Sequence, residues 1–115
     1  MDKDCIFCKI VAGQIPSDVV YEDEHIKAFN DIHPLAPAHV VVIPKKHIAT
    51  LNDVEKGDAD ILRRLMLAAA EVARIKGIAE RGYRVVFNVN PEGGQIIFHL
   101  HLHVLGGRKM LDPLG

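Results

Sequence analysis

The sequence is poor in aromatic residues and has no long apolar run. It contains no tryptophan, two tyrosines and four phenylalanines among 115 residues. Its longest apolar stretches, such as 40–43 and 65–70, fall far short of the roughly 20 residues that a membrane-spanning helix needs. The first residues also lack the basic flank, apolar region and small-residue cleavage site of a signal peptide. We therefore expect a cytoplasmic protein with no membrane partner.

The chain also lacks an excess of charge of either sign. Fourteen Lys and Arg residues stand against fifteen Asp and Glu residues, which gives a formal net charge of -1. Non-specific binding to nucleic acid depends on many basic side chains meeting many phosphates, so nucleic acid is not expected as the main partner. An apolar fraction of 49% in a chain of this length favours one globular domain over residues 1–115.

Histidine is the residue type that stands out. Three of the seven histidines fall within five positions, His99, His101 and His103, and they alternate with Leu100 and Leu102. On a β-strand this alternation places the three imidazoles on one face and the leucines on the other. A solvated polar face is the simplest interpretation. One metal shared by all three is disfavoured, because positions i and i+4 of an extended strand lie roughly 13 Å apart. A nucleophilic imidazole that attacks phosphorus is the third interpretation, which we favour.

The remaining pattern predicts an α+β fold in which an antiparallel sheet of about five strands packs with one long and one short helix. The short helix covers 5–12, and the long helix follows Asp58, a potential cap, and ends near Gly77. The predicted strands cover 19–21, 25–30, 39–43, 83–89 and 96–105. A glycine turn at 88–95 precedes the last strand, and its backbone N–H groups could approach phosphate oxygens.

The segment 93–107, with its His-φ-His-φ-His core in which φ is apolar, resembles the signature of the histidine-triad (HIT) family and is most similar to its Hint branch. Similarity extends through 6–10, 28–32, 37–39 and 43–48. The resemblance implies a HIT-like fold and a homodimer paired through the long helix and the central strands. It also implies a nucleotide-binding hydrolase that cleaves a phosphoramidate (P–N) or related bond in derivatives of purine nucleoside 5'-monophosphates, AMP or GMP.

The same resemblance implies roles for individual residues. His101 is implied to be the nucleophile that forms a covalent nucleotidyl intermediate, which water then hydrolyses, and His103 is implied to contact the phosphate or leaving group. Asp31 would accept hydrogen bonds from the ribose hydroxyls, and Asn88 would line the phosphate site. The other implied nucleotide-binding residues are Gly94, Gln95, Ile96 and Ile97 around the phosphate, and Ile6, Phe7, Ile10, Phe29 and Ile32 around the purine. Ordinary core packing is the alternative for Ile6 and Ile10.

Two positions depart from the Hint pattern. Ile96 stands where a serine is usual, which removes a hydroxyl expected to assist the leaving group, and Asn30 stands where a histidine is common. Two alternative functions stay open. One is hydrolysis of dinucleoside polyphosphates, the activity of a neighbouring branch of the family. The other is a weakly catalytic nucleotide-binding interaction protein, which the missing hydroxyl at Ile96 would favour. A purely structural zinc protein is a third alternative.

The two cysteines, Cys5 and Cys8, have the spacing of half a zinc site. A redox disulfide and two buried free thiols are the alternatives. Zinc-containing members of the HIT family complete such a pair with histidines that match His47 and His99 here, so the resemblance implies a closed, structural Cys2His2 zinc site. The other histidines, at 25, 33 and 39, are expected to be solvated or structural.

Overall fold

The computed structural model describes residues 4–111 and confirms the predicted α+β architecture. The short helix α1 spans Ile6–Val11, and the long helix α2 spans Ala59–Ile75. The five strands are β1 (Val19–Glu22), β2 (Ile26–Asn30), β3 (Ala38–Pro44), β4 (Tyr83–Phe87) and β5 (Leu102–Gly106). Within 4–111 no helix has the length and apolar character needed to cross a membrane.

The strands form one antiparallel sheet in the order β1-β2-β3-β5-β4. The central strand β3 pairs with β2 on one side, where Ala28 lies opposite Val42, and with β5 on the other, where Val41 lies opposite His103. The histidine-bearing strand is therefore an interior strand of the sheet, and its backbone is fixed by neighbours on both sides.

Each face of the sheet is covered by one helix. Because side chains along a strand alternate between the two faces, the strands contribute to a separate core under each helix. The α2 face holds the larger core, and its buried residues include Ala28, Val40, Val42, Leu100, Leu102 and Val104 from the sheet side and Leu65, Ala68, Ala69, Val72 and Ala73 from the helix. The α1 face holds a smaller cluster of Cys5, Phe7, Cys8, Ile10, Phe29, Val41 and Ile43. Since both faces are covered, β3 is buried at every residue, and apart from His39 its sequence is a continuous apolar run rather than an alternating one.

The predicted strand over 96–105 is wrong in its first half, because β5 begins only at Leu102. The backbone before it is held by a different segment of the chain. The Leu100 N–H donates to the Ile48 carbonyl at 2.6 Å, and the Gln95 side-chain amide donates to the Ala49 carbonyl at 2.9 Å. These bonds to 48–49 replace pairing with a strand, so His99 and His101 lie in irregular chain. The strand predicted over 83–89 likewise ends at Phe87.

Asp58 immediately precedes α2, as predicted, but its carboxylate does not cap the helix. One oxygen accepts from Lys46 Nζ at 2.7 Å, and the other accepts from the Glu55 N–H at 3.1 Å. The carboxylate therefore closes the short 3-10 turn Lys56–Asp58 and links it to the segment after β3.

A close contact on β5 gives a test of the packing. A Cβ atom built on Gly106 would lie 2.6 Å from Cδ1 and 3.2 Å from Cβ of Ile78, which is itself buried. We expect Gly106→Ala to lower the free energy of unfolding by about 1–3 kcal/mol, because Ile78 must shift within a packed core. Urea denaturation measures this change. Gly57→Ala is the matched control, since a Cβ there meets nothing within 4 Å. Equal effects of the two substitutions would contradict the expected clash.

Candidate functional site

The imidazole of His101 is oriented by the backbone just before it. Its Nδ1 lies 2.7 Å from the His99 carbonyl oxygen. A carbonyl oxygen can only accept, so Nδ1 carries the proton and Nε2 carries the lone pair. Burial lowers the pKa of His101, which favours the neutral ring. The His101 and Phe7 rings pack edge to face, with 5.2 Å between ring centroids. His101 therefore presents a neutral, nucleophilic Nε2.

His103 has the opposite arrangement because of a third histidine, His39. The Leu35 N–H donates to His39 Nδ1 at 3.1 Å, so neutral His39 carries its proton on Nε2. That nitrogen lies 2.9 Å from His103 Nδ1 and 3.5 Å from Asp31 Oδ2. When His39 donates to His103, the proton of neutral His103 is on Nε2. The site thus offers a lone pair on His101 and an N–H on His103, with ring centroids 5.1 Å apart.

Burial and neighbouring charges set the charge states of His103 and His39. Burial is the largest cause that lowers the pKa of His103 to about 4, and His101 and His39 lower it further, while Asp31 opposes the shift. Burial also lowers the pKa of His39 against the opposing effect of Asp31. Both rings are therefore neutral at neutral pH unless an additional negative charge enters the site.

His39 is the site residue that the sequence prediction missed, since it was expected to be structural. It lies on β3, two residues before Val41, the residue that pairs with His103. Positions two apart on a strand share a face, so His39 and His103 meet across the pairing of β3 with β5. Only knowledge of that pairing could have indicated this contact, because β3 is apolar at every position between His39 and Pro44.

Asp31 follows directly after β2 and lies at the rim of the site. Its Oδ1 accepts from the His33 N–H at 2.8 Å, and its backbone N–H donates to the His39 carbonyl at 2.9 Å. Its side chain is 21% exposed. The carboxylate is thus fixed beside His39 and still reaches the surface.

The apolar residues proposed for the purine fall into two groups. Phe7, Ile10 and Phe29 are buried in the α1-face cluster, where the two phenylalanine rings meet edge to face with centroids 5.5 Å apart. Ile6 and Ile32 are 43% and 86% exposed. Core packing therefore accounts for Ile10 but not for Ile6, which points outward from the same helix.

The glycine turn before the histidines is held by one buried amide side chain. Gln95 Oε1 accepts from the Asn90 N–H at 2.9 Å, and Gln95 Nε2 donates to the carbonyl oxygens of Ala49 and Ile97. Gly94 adopts a left-handed conformation with φ of 87°, which a residue without a Cβ adopts without strain. Gln95 thus orients the backbone at 96–97. Asn88, at the start of the turn, is half-buried. The side chain of Ile96 is 87% exposed.

The second unusual position, Asn30, has a structural role. Its Nδ2 donates to Asp18 at 2.8 Å, and its Oδ1 accepts from Lys76 Nζ at 3.0 Å. Asn30 therefore ties the end of β2 to the segment before β1 and to the end of α2.

The two cysteines and two of the histidines converge at one point. Ligand atoms of Cys5, Cys8, His47 and His99 all lie within 4.8 Å of one another. His99 Nδ1 is 3.2 Å from Cys5 Sγ and 3.2 Å from His47 Nδ1, and Cys8 Sγ is 3.2 Å from His47 Nδ1. Donor atoms around a tetrahedral zinc, with bonds of about 2.0–2.3 Å, lie about 3.3–3.8 Å apart. The cluster could hold a metal of this kind.

The protonation of His99 fits a metal ligand. Its Nε2 lies 2.8 Å from the Pro44 carbonyl oxygen and must donate to it, which leaves the Nδ1 lone pair directed at the cluster. Metal-ligating histidines usually anchor their second nitrogen in this way. Burial is the main cause that lowers the pKa of His99 to about 4, so the ring is neutral, as ligation requires. The ring of His99 therefore faces the Cys/His cluster, and its role differs from those of His101 and His103.

Comparisons with known proteins agree with this geometry. The model of the HIT domain family matches residues 12–110. The purine nucleoside phosphoramidase of Escherichia coli K12 is 47% identical over 115 residues, which cover all of this chain and 93% of that protein. A HIT family hydrolase from Legionella pneumophila superposes with a TM-score of 0.95 at 54% identity, over 97% of this chain and 100% of that one. A HIT family hydrolase from Clostridium thermocellum gives 0.96 at 45% identity, over 99% of each.

The family match covers most of the chain, and the relatives match it over nearly their whole lengths. The predicted resemblance is confirmed at the level of sequence and fold. This chain belongs to the HIT family.

Proposed function

We propose that this HIT-type hydrolase cleaves the P–N bond of purine nucleoside 5'-phosphoramidates through a covalent intermediate on His101. The observation that carries the proposal is the opposite protonation of the two neighbouring rings, with a lone pair on His101 Nε2 and an N–H on His103 Nε2. Nucleophilic cleavage of a P–N bond needs a lone pair that attacks phosphorus and a proton donor for the departing nitrogen. The E. coli relative named a purine nucleoside phosphoramidase supports the choice of substrate.

In the first step, His101 Nε2 attacks phosphorus and the P–N bond breaks. The departing amine needs a proton, and His103 can give one only after its Nδ1 takes a second proton from solvent, so that His39 Nε2 then accepts from Nδ1 instead of donating to it. Asp31 favours that protonated form, and the anionic phosphoryl group of the substrate adds to the effect. His103 then passes its Nε2 proton to the nitrogen. In the second step, water attacks phosphorus, the bond to His101 breaks, and the proton of the water returns to His103. The products are the free amine and the nucleoside monophosphate.

We assign the rest of the nucleotide to the surrounding residues. Backbone N–H groups at Ile96 and Ile97 would bind the phosphoryl oxygens in the geometry set by Gln95, beside Asn88 and Gly94. Asp31 would accept the ribose hydroxyls. The purine would pack on the exposed faces of Ile6 and Ile32, above the buried Phe7, Ile10 and Phe29.

The assignment of His101 predicts the effect of removing it. We expect His101→Ala and His101→Asn to lower kcat for adenosine 5'-phosphoramidate by at least about 10³-fold, with AMP binding nearly unchanged, because the nucleophile forms its bond only during the reaction. Quenching the wild-type enzyme during turnover should trap a nucleotidyl group, which mass spectrometry should locate on His101.

Turnover near that of the wild type in either variant would overturn this assignment. Diadenosine polyphosphates serve as the comparison substrates. Faster turnover of these than of the phosphoramidate would favour the alternative hydrolase, and normal AMP binding without turnover of either would favour an interaction protein.

The ribose assignment predicts a change in affinity. We expect Asp31→Ala to weaken AMP binding by about 1–3 kcal/mol, and to weaken binding of 2'-deoxy-AMP less, because a carboxylate that accepts from both hydroxyls loses more with the ribonucleotide. Calorimetric titration measures both. Asp31→Asn is the matched control, because it keeps an oxygen for the His33 N–H. Equal losses for the two nucleotides would exclude Asp31 from the ribose site.

We also propose that Cys5, Cys8, His47 and His99 bind one structural zinc ion. The four donors leave no open position, so the ion would supply cross-linking rather than chemistry. It would join α1 to the chain directly before His101. Because the His99 carbonyl anchors His101, this link would also hold the nucleophile in place.

Metal analysis of protein purified without chelator should give one zinc per chain. Removal should lower the melting temperature, and Cys5→Ser together with Cys8→Ser should lower it in the same way, since the ion stabilises only the folded state. His33→Ala, which changes an exposed histidine outside the cluster, is the control. A zinc content well below one, with an unchanged melting temperature in the double variant, would show that the cysteines are packing residues.

A homodimer is proposed as well. The central strands β3 and β5 are paired on both sides within one chain, which leaves the edge strands β1 and β4 and helix α2 for contact with a second copy. Met66 and Leu67 on α2 are 50% and 58% exposed. An edge strand beside exposed apolar residues favours self-association.

A further inference from the structure

The turn between β4 and the histidines contains an unusual backbone conformation at Asn90. Its φ is 61° and its ψ is 176°, and among residues 4–111 it is the one residue other than glycine with a positive φ. This region of backbone space is almost confined to glycine, because a side chain makes it strained. Such strain persists only where the surrounding structure fixes the conformation. Asn90 therefore marks a part of the turn that its neighbours hold in place.

The side chain of Asn90 does not account for this conformation. It is exposed, and it makes no capping hydrogen bond to the 3-10 turn Pro91–Gly93 that follows. Pro91 restricts the backbone further, because a proline ring disfavours the right-handed helical region at the residue before it and favours an extended ψ. The value of the residue at position 90 thus lies in its backbone.

Both backbone groups of Asn90 are bonded to one residue, Gln95. The Asn90 N–H donates to Gln95 Oε1 at 2.9 Å, and the Asn90 carbonyl accepts from the Gln95 N–H at 3.1 Å. The same carbonyl also accepts from the Gly93 N–H at 3.1 Å. The turn is therefore closed at its base by two hydrogen bonds between Asn90 and Gln95.

Gln95 carries this constraint towards the histidines. Its side chain is buried, and its Nε2 donates to the Ala49 carbonyl at 2.9 Å and to the Ile97 carbonyl at 3.0 Å. If Asn90 left its conformation, Gln95 Oε1 would lose its partner, and a buried polar atom without a partner is costly. Gln95 would then reorient, and the backbone at Ile97 would lose the bond that orients it.

We propose that Asn90 is a positioning residue for the phosphoryl group, and that it acts through its strained backbone rather than through its side chain. This role rests on the proposed function, which assigns the N–H groups of Ile96 and Ile97 to the phosphoryl oxygens. The turn holds Gln95, and Gln95 holds the backbone at Ile97, so these donors have their geometry before the substrate binds. Donors fixed in advance need no reorganisation when negative charge develops on the oxygens.

The test replaces Asn90 with residues that differ in their ability to adopt a positive φ. Glycine adopts it without strain, alanine with some strain, and the β-branched valine least readily. For adenosine 5'-phosphoramidate, kcat/KM of Asn90→Gly should stay close to that of the wild type. In Asn90→Val it should fall by at least about tenfold, because a misplacement of about 1 Å can lower a rate by about 10²-fold. Asn90→Ala should lie between them, and it replaces the valine variant if that protein does not fold.

Nucleotide binding separates positioning from general destabilisation. AMP and adenosine share the purine and the ribose, but only AMP carries a phosphoryl group. By calorimetric titration, Asn90→Val should weaken AMP binding several-fold and leave adenosine binding unchanged. Asn52→Val is the matched control, because it makes the same substitution at an exposed asparagine in the 3-10 turn Leu51–Asp53, where φ is not positive. Its kcat/KM and both affinities should equal those of the wild type.

A double-mutant cycle tests the route through Gln95. Gln95→Ala removes the amide that joins Asn90 to Ile97. Asn90→Val should therefore have little further effect on kcat/KM in the Gln95→Ala background, because residues that act as a unit are not additive. Additive losses would mean that Asn90 does not act through Gln95, which would overturn the proposed role.

Three other results would also overturn this role in proteins whose melting curves show a folded state. They are a wild-type kcat/KM in Asn90→Val, a loss in Asn90→Gly as large as that in Asn90→Val, and equal weakening of AMP and adenosine binding. The second result would assign the effect to the side chain, and the third would assign it to structure alone. If the wild-type protein binds AMP but hydrolyses no phosphoramidate, the proposed function fails, while the two titrations still decide the role of Asn90.

Discussion

The buried imidazole of His99 is the constraint on which the rest of the site depends. Its Nε2 donates to the Pro44 carbonyl at the end of β3, and its Nδ1 lies among the donor atoms that could hold a metal. The backbone carbonyl oxygen of His99 accepts from His101 Nδ1 and so decides which nitrogen of His101 carries the lone pair. A single residue, with its ring fully buried, thus connects the central strand, the N-terminal helix and His101. Since His99 itself makes each of these contacts, loss of its orientation would disturb the central strand, the N-terminal helix and His101 together.

The sheet supplies the second half of the arrangement. Because β5 lies between β3 and β4, His103 has a neighbouring strand on each side, and β3 brings His39 to within 2.9 Å of it. The rings of His101 and His103 therefore take their protonation from different sources. His101 is set by local chain geometry, over two residues, whereas His103 is set by a partner 64 positions away in the sequence. Opposite tautomers on adjacent rings follow from these two sources together.

The irregular chain before β5 shows why the strand prediction failed there. Alternation of apolar and polar residues indicates which side each residue faces, and the leucines at 100 and 102 do pack on the α2 face as predicted. Alternation carries no information on hydrogen-bond partners. Residues 95–101 are bonded instead to segment 48–49 through Leu100 and Gln95. This departure leaves Ile96 and Phe98 exposed around a cavity rather than packed in a sheet.

The sequence by itself determined the α+β class, the two helices, the approximate positions of the five strands and the membership of the HIT family, because periodicity and a dense motif are local properties. It also indicated, through the family resemblance, that Cys5, Cys8, His47 and His99 belong together. The tertiary structure alone decided the role of His39, the protonation of the imidazoles, the use of the Gln95 amide within the turn and the exposed surface around Ile96. Each of these depends on contacts between segments far apart in the chain, and strand pairing, which no local pattern specifies, brings those segments together.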